Sequence, residues 1–568
     1  MPVPHRIAVL MVVFAVAAAC APAPSAALPA EPTGSLAAQP SPSSPAVSAF
    51  AAEAWPETGS ACGTMGYLGS LGRIEALDAR TIRFTLCGPD GAFLARIAHP
   101  SLGIVAAAAL DQIAADRSSA AFVSGSGDWQ IEARAGDNVR LVPAAGVKSK
   151  GTAAVILRWA ADAATRTAML ANATVDGVNA PAATSLDDLV TMPEVALVPR
   201  VSLAVAYLGF GGGSAFATSA VRRAIAEGID TAMLLAAFPP GSSTAAHLAP
   251  CAAASGCAGT AFPAYNGPAG AAALDAAAFD RARTYPLHIP DGPVPGLPNP
   301  TAVATALASQ LASVLGVRVR VDAMPTASLR AAIANGTIDG IYLDAVASPV
   351  ADASAFYAAL FTDRPGSAAA GAAGDISGKL ASVAALTTPA DRDAAFAAIS
   401  NALRAQQVLV PLASAGVMTA WRSDVAGVAA SPLGTDPLGA MTAGDRGQIV
   451  FLQAEPAGGG WCGATGSPDA WRLCALVSDG LYALPAGAVR PVPKLATACV
   501  PSLNATVWTC RLRTRLQTGA GAPLNARDVL ATFRAAWDAT TPLRTGATAD
   551  DLAMWSGLFG GPLNPPKG

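Results

Sequence analysis

Charge is scarce in this 568-residue chain: Asp, Glu, Lys and Arg together make up 13% of it, the net charge is -3, and no basic block occurs anywhere. A phosphate backbone requires an electrostatic footprint that is missing here, so nucleic acid is not expected as a partner. Histidine is rarer still. Of four in the chain, only His99, His247 and His288 lie beyond the amino-terminal apolar run, and they stand far apart. HExxH, a GxSxG elbow, a GxxxxGK(S/T) phosphate cradle and an SxxK phrase are all absent. No spacing of the acids singles out a hydrolase pair, and an enzyme is not expected. CxxC pairs are missing, so neither a metal nor a cofactor is expected. Past the first twenty residues no run of about 18 apolar residues appears. The body of the chain is therefore expected to be soluble, although hydrophobic residues, many of them alanine, reach 52%.

What is present starts at the amino terminus. His5 and Arg6 precede a compact apolar run, residues 7–19, that ends Ala17-Ala18-Ala19-Cys20. This resembles the lipobox of bacterial lipoproteins, in which Cys20 would be lipidated and become the new amino terminus. Ala17 departs from the pattern, where Leu is commoner, and simple secretory cleavage is the alternative. The run is too short to cross a hydrocarbon core of about 30 Å as a helix, so either reading exports the protein. Residues 21–56, rich in Pro, Ala and Ser with no apolar period, read as a disordered tether. Eight further cysteines fall as Cys62/Cys87, Cys251/Cys257, Cys462/Cys474 and Cys499/Cys510. An even set in an exported chain suggests four disulfides, and neighbour pairing is the simplest of the many pairings that eight cysteines allow.

The length suffices for two or three domains of roughly 150 residues. Residues 81–86 (TIRFTL) alternate with period two, residues 92–98 have helical character, and a helix over 302–315 leads into a second alternating strand over 317–321. Strand and helix in alternation imply α/β architecture. Residues 217–237 carry Val221, Ile225, Ile229 and Leu234 at nearly helical spacing, with Arg222, Arg223 and Glu227 off the stripe, which predicts one surface helix on a sheet.

Four phrases near the carboxyl end, residues 476–482 (LVSDGLY), 490–496 (RPVPKLA), 508–513 (WTCRLR) and 521–529 (GAPLNARDV), resemble in order the opening third of the family 5 extracellular solute-binding proteins. That family comprises the dipeptide, oligopeptide and nickel receptors of ABC importers. The later family phrases come before these. Residues 74–86 and 93–98 resemble the segment that follows the "AxDV" helix, and 125–129 (GSGDW) stands where the family has "GTGPY". Residues 216–230 (FATSAVRRAIAEGID) are close to "pfxdxrVRqAixxAiDr", and 391–412 resemble a late helix and strand. Every segment occurs once in rotated order, which implies a circular permutation.

The resemblance implies a two-lobed, type II periplasmic-binding-protein-like α/β fold with a small extra domain. Its boundaries would run 62–122 for one part of the extra domain, 123–205 for lobe I, 206–411 for lobe II, 412–484 for lobe I again, and 485–568 for the rest of the extra domain. It also implies a peptide-like or other small solute held between the lobes, ABC permease subunits as partners, a monomer, and a membrane attachment through Cys20. A sensing or degenerate binding module is the alternative, with a hydrolase last. In peptide receptors a "DYxDPxxF" phrase pairs an acid with the ligand ammonium. Residues 349–356 (PVADASAF) match it with Asp352 as the second acid but Pro349 in place of the first, and Asp344 is the candidate substitute. Trp129, in the tyrosine position of "GTGPY", would wall the cleft or pack on the strand that follows. Tyr207 and Phe210, ahead of Gly211, Gly212 and Gly213, lie at the expected crossover into lobe II. Glu455 and Trp461 fall in a loop that the family places near the cleft mouth.

Overall fold

Thr81–Leu86 forms a strand whose Ile82, Phe84 and Leu86 are buried while the residues between them are partly exposed, in a computed structural model that describes residues 50–148, 151–464 and 466–565. The Cys20 leader and residues 21–49 of the expected tether lie outside the described residues. The long helix is Pro300–Leu315. Asn299 accepts a hydrogen bond from the Ala302 N–H, Pro300 occupies the first turn, and Gly316, at φ 67°, ends it in the left-handed conformation. It buries Val303, Leu307, Leu311 and Leu315 and feeds the strand Arg318–Met324. The single helix expected over 217–237 is divided into Ser219–Glu227 and Thr231–Leu234. Asp230 accepts from the N–H groups of Ala232 and Met233 and so caps a new helix two residues after Gly228.

Three large sheets and the two-stranded pair Tyr482–Ala483 and Val492–Pro493 organise the residues from Phe50 onward, which cluster as one compact unit. The seven-stranded sheet of lobe I runs Trp129–Ala135, Asn138–Pro143, Ala154–Trp159, Gln448–Gln453, Gly177–Asn179, Gly416–Arg422, Val195–Val201. Its middle strand, Gln448–Gln453, comes from far along the chain and lies parallel to both neighbours. Lobe II is built on a six-stranded sheet in the order Ser243–Thr244, Leu409–Ser414, Ala204–Phe210, Ile341–Ala347, Thr284–Pro290, Arg318–Met324. The strands Ala204–Phe210 and Leu409–Ser414 are buried along their whole length, as a sheet covered on both faces requires.

The extra domain carries an antiparallel five-stranded sheet, Glu53–Trp55, Leu71–Asp78, Thr81–Leu86, Val507–Leu512, Ala496–Pro501. Early and late segments therefore share one core: Phe84, Phe93, Trp508, Phe533 and Trp555 pack together. The Ser70 N–H donates to the Phe559 carbonyl at 2.7 Å, and Trp537 Nε1 donates to the Tyr67 hydroxyl at 3.0 Å. Residues 50–56, which the composition assigns to the tether, carry part of the sheet instead. Trp55 pairs with Ile74 in the sheet and lies under the Arg534 guanidinium at 3.6 Å, and Phe50 lies under that of Arg527 at 4.5 Å. The cysteines stand as Cys62–Cys87, Cys251–Cys257, Cys462–Cys474 and Cys499–Cys510, the last pair directly opposite each other in a hairpin.

Candidate functional site

Two strand-to-strand crossovers join the lobes, and they are neighbours. Val195–Val201 passes into Ala204–Phe210 through Ser202 and Leu203, and Leu409–Ser414 passes into Gly416–Arg422 through Ala415. The Ser202 N–H donates to the Ala415 carbonyl at 3.2 Å, tying the connectors side by side, while the Ser348 N–H donates to the Leu203 carbonyl at 3.1 Å. Two adjacent short connectors leave rotation about their common line as the soft motion, which is the geometry of a hinge.

Lobe II also meets the extra domain. Val350 is fully buried within the extra domain's core, and a side chain added at Gly557 would meet Pro349 Cγ at 3.1 Å. The Gly91 N–H donates to the Ala384 carbonyl at 2.7 Å, and Arg490 pairs with Asp393 at 2.7 Å. A depression of about 150 Å³ at this junction is lined by Gly91, Ser255, Asp352, Arg392, Asp393 and Arg490. Asp352 is the one sequence-selected residue in it. Its carboxylate caps the helix Ala353–Tyr357, accepts from Ser255 Oγ at 2.9 Å and pairs with Arg392 at 2.6 Å.

The other selected residues stand apart. Asp344 is completely buried in the strand Ile341–Ala347, between Arg330 at 3.1 Å and Arg364 at 3.6 Å. Tyr207, opposite it in register, accepts from Arg364 at 2.9 Å, and burial together with the Asp344 charge holds its hydroxyl well above the usual phenol range. Phe210 faces the other side of that sheet and packs on Phe216. Trp129 opens its strand with its indole beneath Gly439, beside a cavity of about 320 Å³ that Asp128, Asp479 and Lys494 also line. Glu455 is exposed, and its backbone N–H donates to Asp469 at 3.0 Å. Trp461 is buried with Ile113 and Leu543, under the Arg544 guanidinium at 5.4 Å. The seven residues are thus divided among separate cores and depressions.

Sequence reasoning missed two charged groups. In lobe I, Arg200 pairs with Asp436, and Arg472 pairs with Asp469 at 2.9 Å and with Asp436 at 3.5 Å, while Asn179 Nδ2 donates to Asp469 at 3.1 Å. All four charged side chains are buried, and Arg200 lies on the hinge-entry strand Val195–Val201. The second group is Lys494 between Asp479 at 3.3 Å and Asp128 at 3.7 Å. Burial pushes the Asp479 carboxyl up to about 6 against the pull of that ammonium. Asp469 and Arg472 are three residues apart on the helix Pro468–Val477, but the other partners come from different segments, so local pattern held no signal for either group as a whole. Among the described residues no group of three His, Cys, Asp or Glu side chains is placed to hold a metal, and no helix is long and apolar enough to cross a membrane.

Residues 38–368, more than half of the chain, match the sequence profile described as bacterial extracellular solute-binding proteins, family 5 Middle. No curated protein matches the sequence significantly. Among solved structures, HbpA2 from Haemophilus parasuis is similar at 19% identity and a TM-score of 0.57, over 66% of this chain and 75% of that one. The periplasmic binding protein DppA from Helicobacter pylori, in complex with the peptide STSA, is similar at 19% identity and a TM-score of 0.42, over 62% of this chain and 70% of that one.

Proposed function

Because the chain belongs to the bacterial extracellular solute-binding proteins of family 5, we propose that it is the exported receptor of an ABC importer, capturing one small solute between its lobes and releasing it unchanged. The observation that carries this reading is the pair of adjacent crossovers at Ser202–Leu203 and Ala415, on which two sheet-based lobes can close. Asp352, the acid that would hold a ligand ammonium in a peptide receptor, is committed to a helix cap and to Arg392. The solute class is therefore broader than peptides in this reading.

The test is a thermal-shift screen of the mature protein against peptides, amino acids, opines, sugars and metallophores. A ligand at 100 times its dissociation constant stabilises by about 2.7 kcal/mol. Mass spectrometry should recover the bound compound intact. A chemically altered ligand would make the protein an enzyme, and silence across all classes would favour a degenerate module.

The same reading places Cys20 as the lipid attachment and the permease as the partner of a monomeric receptor. Cys20→Ser should move the protein from the membrane fraction to the soluble exported fraction; persistence at the membrane would rule the anchor out. The rotated order of family phrases is read as a circular permutation, with the extra domain split between residues 62–122 and 485–568. This is supported by the central, parallel position of Gln448–Gln453 in lobe I and by the hydrogen bond from Ser70 to Phe559. Joining the carboxyl end to residue 62 and opening the chain between residues 443 and 447 should give a folded receptor with unchanged ligand affinity. An unfolded product, made alongside a wild-type control, would count against it.

A further inference from the structure

A cavity of about 580 Å³ opens between the extra domain and the lobe I loop that follows Gln448–Gln453, with Ile113, Arg117, Trp461, Leu543, Arg544 and Asp551 in its wall. No residue of lobe II lines it. Its volume lies within the roughly 300–1,000 Å³ of small-molecule pockets. Ile113 and Leu543 are buried and supply an apolar floor.

The polar groups around it are unbalanced. Arg544 is 3% exposed, its Nη1 donates to the Asp551 carbonyl at 3.1 Å and its Nη2 to the carbonyls of Gly463 at 2.6 Å and Ala536 at 3.1 Å, yet its Nε has no partner among the described residues. Trp461 is 4% exposed, and its Nε1 is likewise without a partner. Buried N–H groups left unpaired are uncommon and costly. Arg117, on the rim, donates to the carbonyls of Leu543 at 2.8 Å and Pro542 at 2.6 Å and so keeps its charge over the same mouth. Asp551 is the one acid in the wall, and its carboxylate is engaged by Thr548, accepting from the backbone N–H at 2.7 Å and from Oγ1 at 2.8 Å. Burial pulls the Arg544 guanidinium down to about 10, Asp551 resists, and the neighbouring charge of Arg117 adds to the fall.

We propose that this cavity is a second binding site, for a small organic anion in which a carboxylate or other oxyanion is carried on an apolar body. The anionic group answers two guanidiniums that only one engaged acid offsets, and a charge-assisted bond to guanidinium is among the stronger polar contacts available. The apolar body covers Ile113, Leu543 and the Trp461 ring. Since lobe II contributes nothing to the wall, occupancy does not require closure on the interlobe solute.

Calorimetric titration of the mature protein with phenylacetate, with hexanoate and with inorganic phosphate tests this. Saturable binding of the two carboxylates is expected, at least tenfold tighter than phosphate. Arg117→Gln, at an exposed position, and Trp461→Phe, which keeps a ring and removes the N–H, should each weaken phenylacetate at least fivefold, with circular dichroism confirming the fold. A peptide or other solute found to bind between the lobes should leave the phenylacetate affinity unchanged. Absence of saturable carboxylate binding, phosphate binding as tightly as the carboxylates, or carboxylate binding indifferent to both substitutions would each overturn the proposal. Loss of interlobe binding alone would leave these outcomes readable.

Discussion

Asp344 illustrates how a single carboxylate is disposed of in a closed interior. Its position in the buried part of the strand Ile341–Ala347 removes it from water, and Arg330 and Arg364 return the lost solvation as paired charge. Asp344→Ala strands Arg364 beside Tyr207 and should lower unfolding stability by about 3–5 kcal/mol in urea titration. An affinity loss with stability intact would instead place Asp344 at the ligand. Asp479 offers a second test, by pH. Its folded-state value of about 6 exceeds the usual 3.8, so ionising it costs the folded state more than the unfolded one. The folded state is favoured at low pH, and about 3 kcal/mol of that advantage is lost as pH rises from 3.8 through 6. His99 acts in the opposite sense: burial takes it down to about 3 from 6.5, so its contribution is present above 6.5 and lost toward 3. The readout is therefore a difference. Asp479→Asn minus wild type should gain stability between pH 4 and 6, and a flat difference would show that Asp479 does not titrate there.

Among the elements, the hairpin Ala496–Pro501 and Val507–Leu512 is held both by a disulfide and by packing. It places Cys499 opposite Cys510 in the register and lays Trp508 over Phe93 at 5.4 Å. In the chain-entropy account a loop of 11 residues closed by a disulfide is stabilised by about 3 kcal/mol. Replacing both cysteines by Ala should cost that amount in chemical denaturation. Non-reducing peptide mapping should recover all four neighbour pairs, and free thiols at most positions would count against both the pairing and the export. Periodicity made the strand Thr81–Leu86 and the helix Pro300–Leu315 legible, because each alternates or repeats on one face with caps at hand. It merged Ser219–Glu227 with Thr231–Leu234, because the apolar spacing continues across a break that Asp230 makes through hydrogen bonds.

For the whole molecule the issue is what holds the lobes. Val350 of lobe II sits in the core of the extra domain, and withdrawing a side chain of that size into water costs about 2 kcal/mol. Rotation about the Ser202–Leu203 and Ala415 connectors that parts lobe II from the extra domain has to extract it and break Arg490–Asp393. Val350→Asp should enlarge the radius of gyration measured by small-angle scattering without unfolding the protein, and added solute should no longer compact it fully. An unchanged radius in the variant would mean that this contact does not restrain the hinge.

By itself the sequence determined the α/β class, the positions of many strands and helices, the even cysteine set and the family likeness, because each rests on short stretches of chain whose geometry is set by near neighbours. The candidate site was legible only as a set of residue types. The phrase at residues 349–356 marks Asp352, but Arg392 and Ser255, which engage it, are brought by other elements. Asp344 reads in the sequence as a charge available to a ligand, and the sheet register and two arginines enclose it. Trp461 stands out in the sequence only by its loop, and the extra domain sets Arg544 over its ring. What the tertiary structure alone decided is which buried charges meet, since a charge removed from water takes its partner from whatever segment the crossovers bring within a few ångströms, and separation along the chain does not enter that distance.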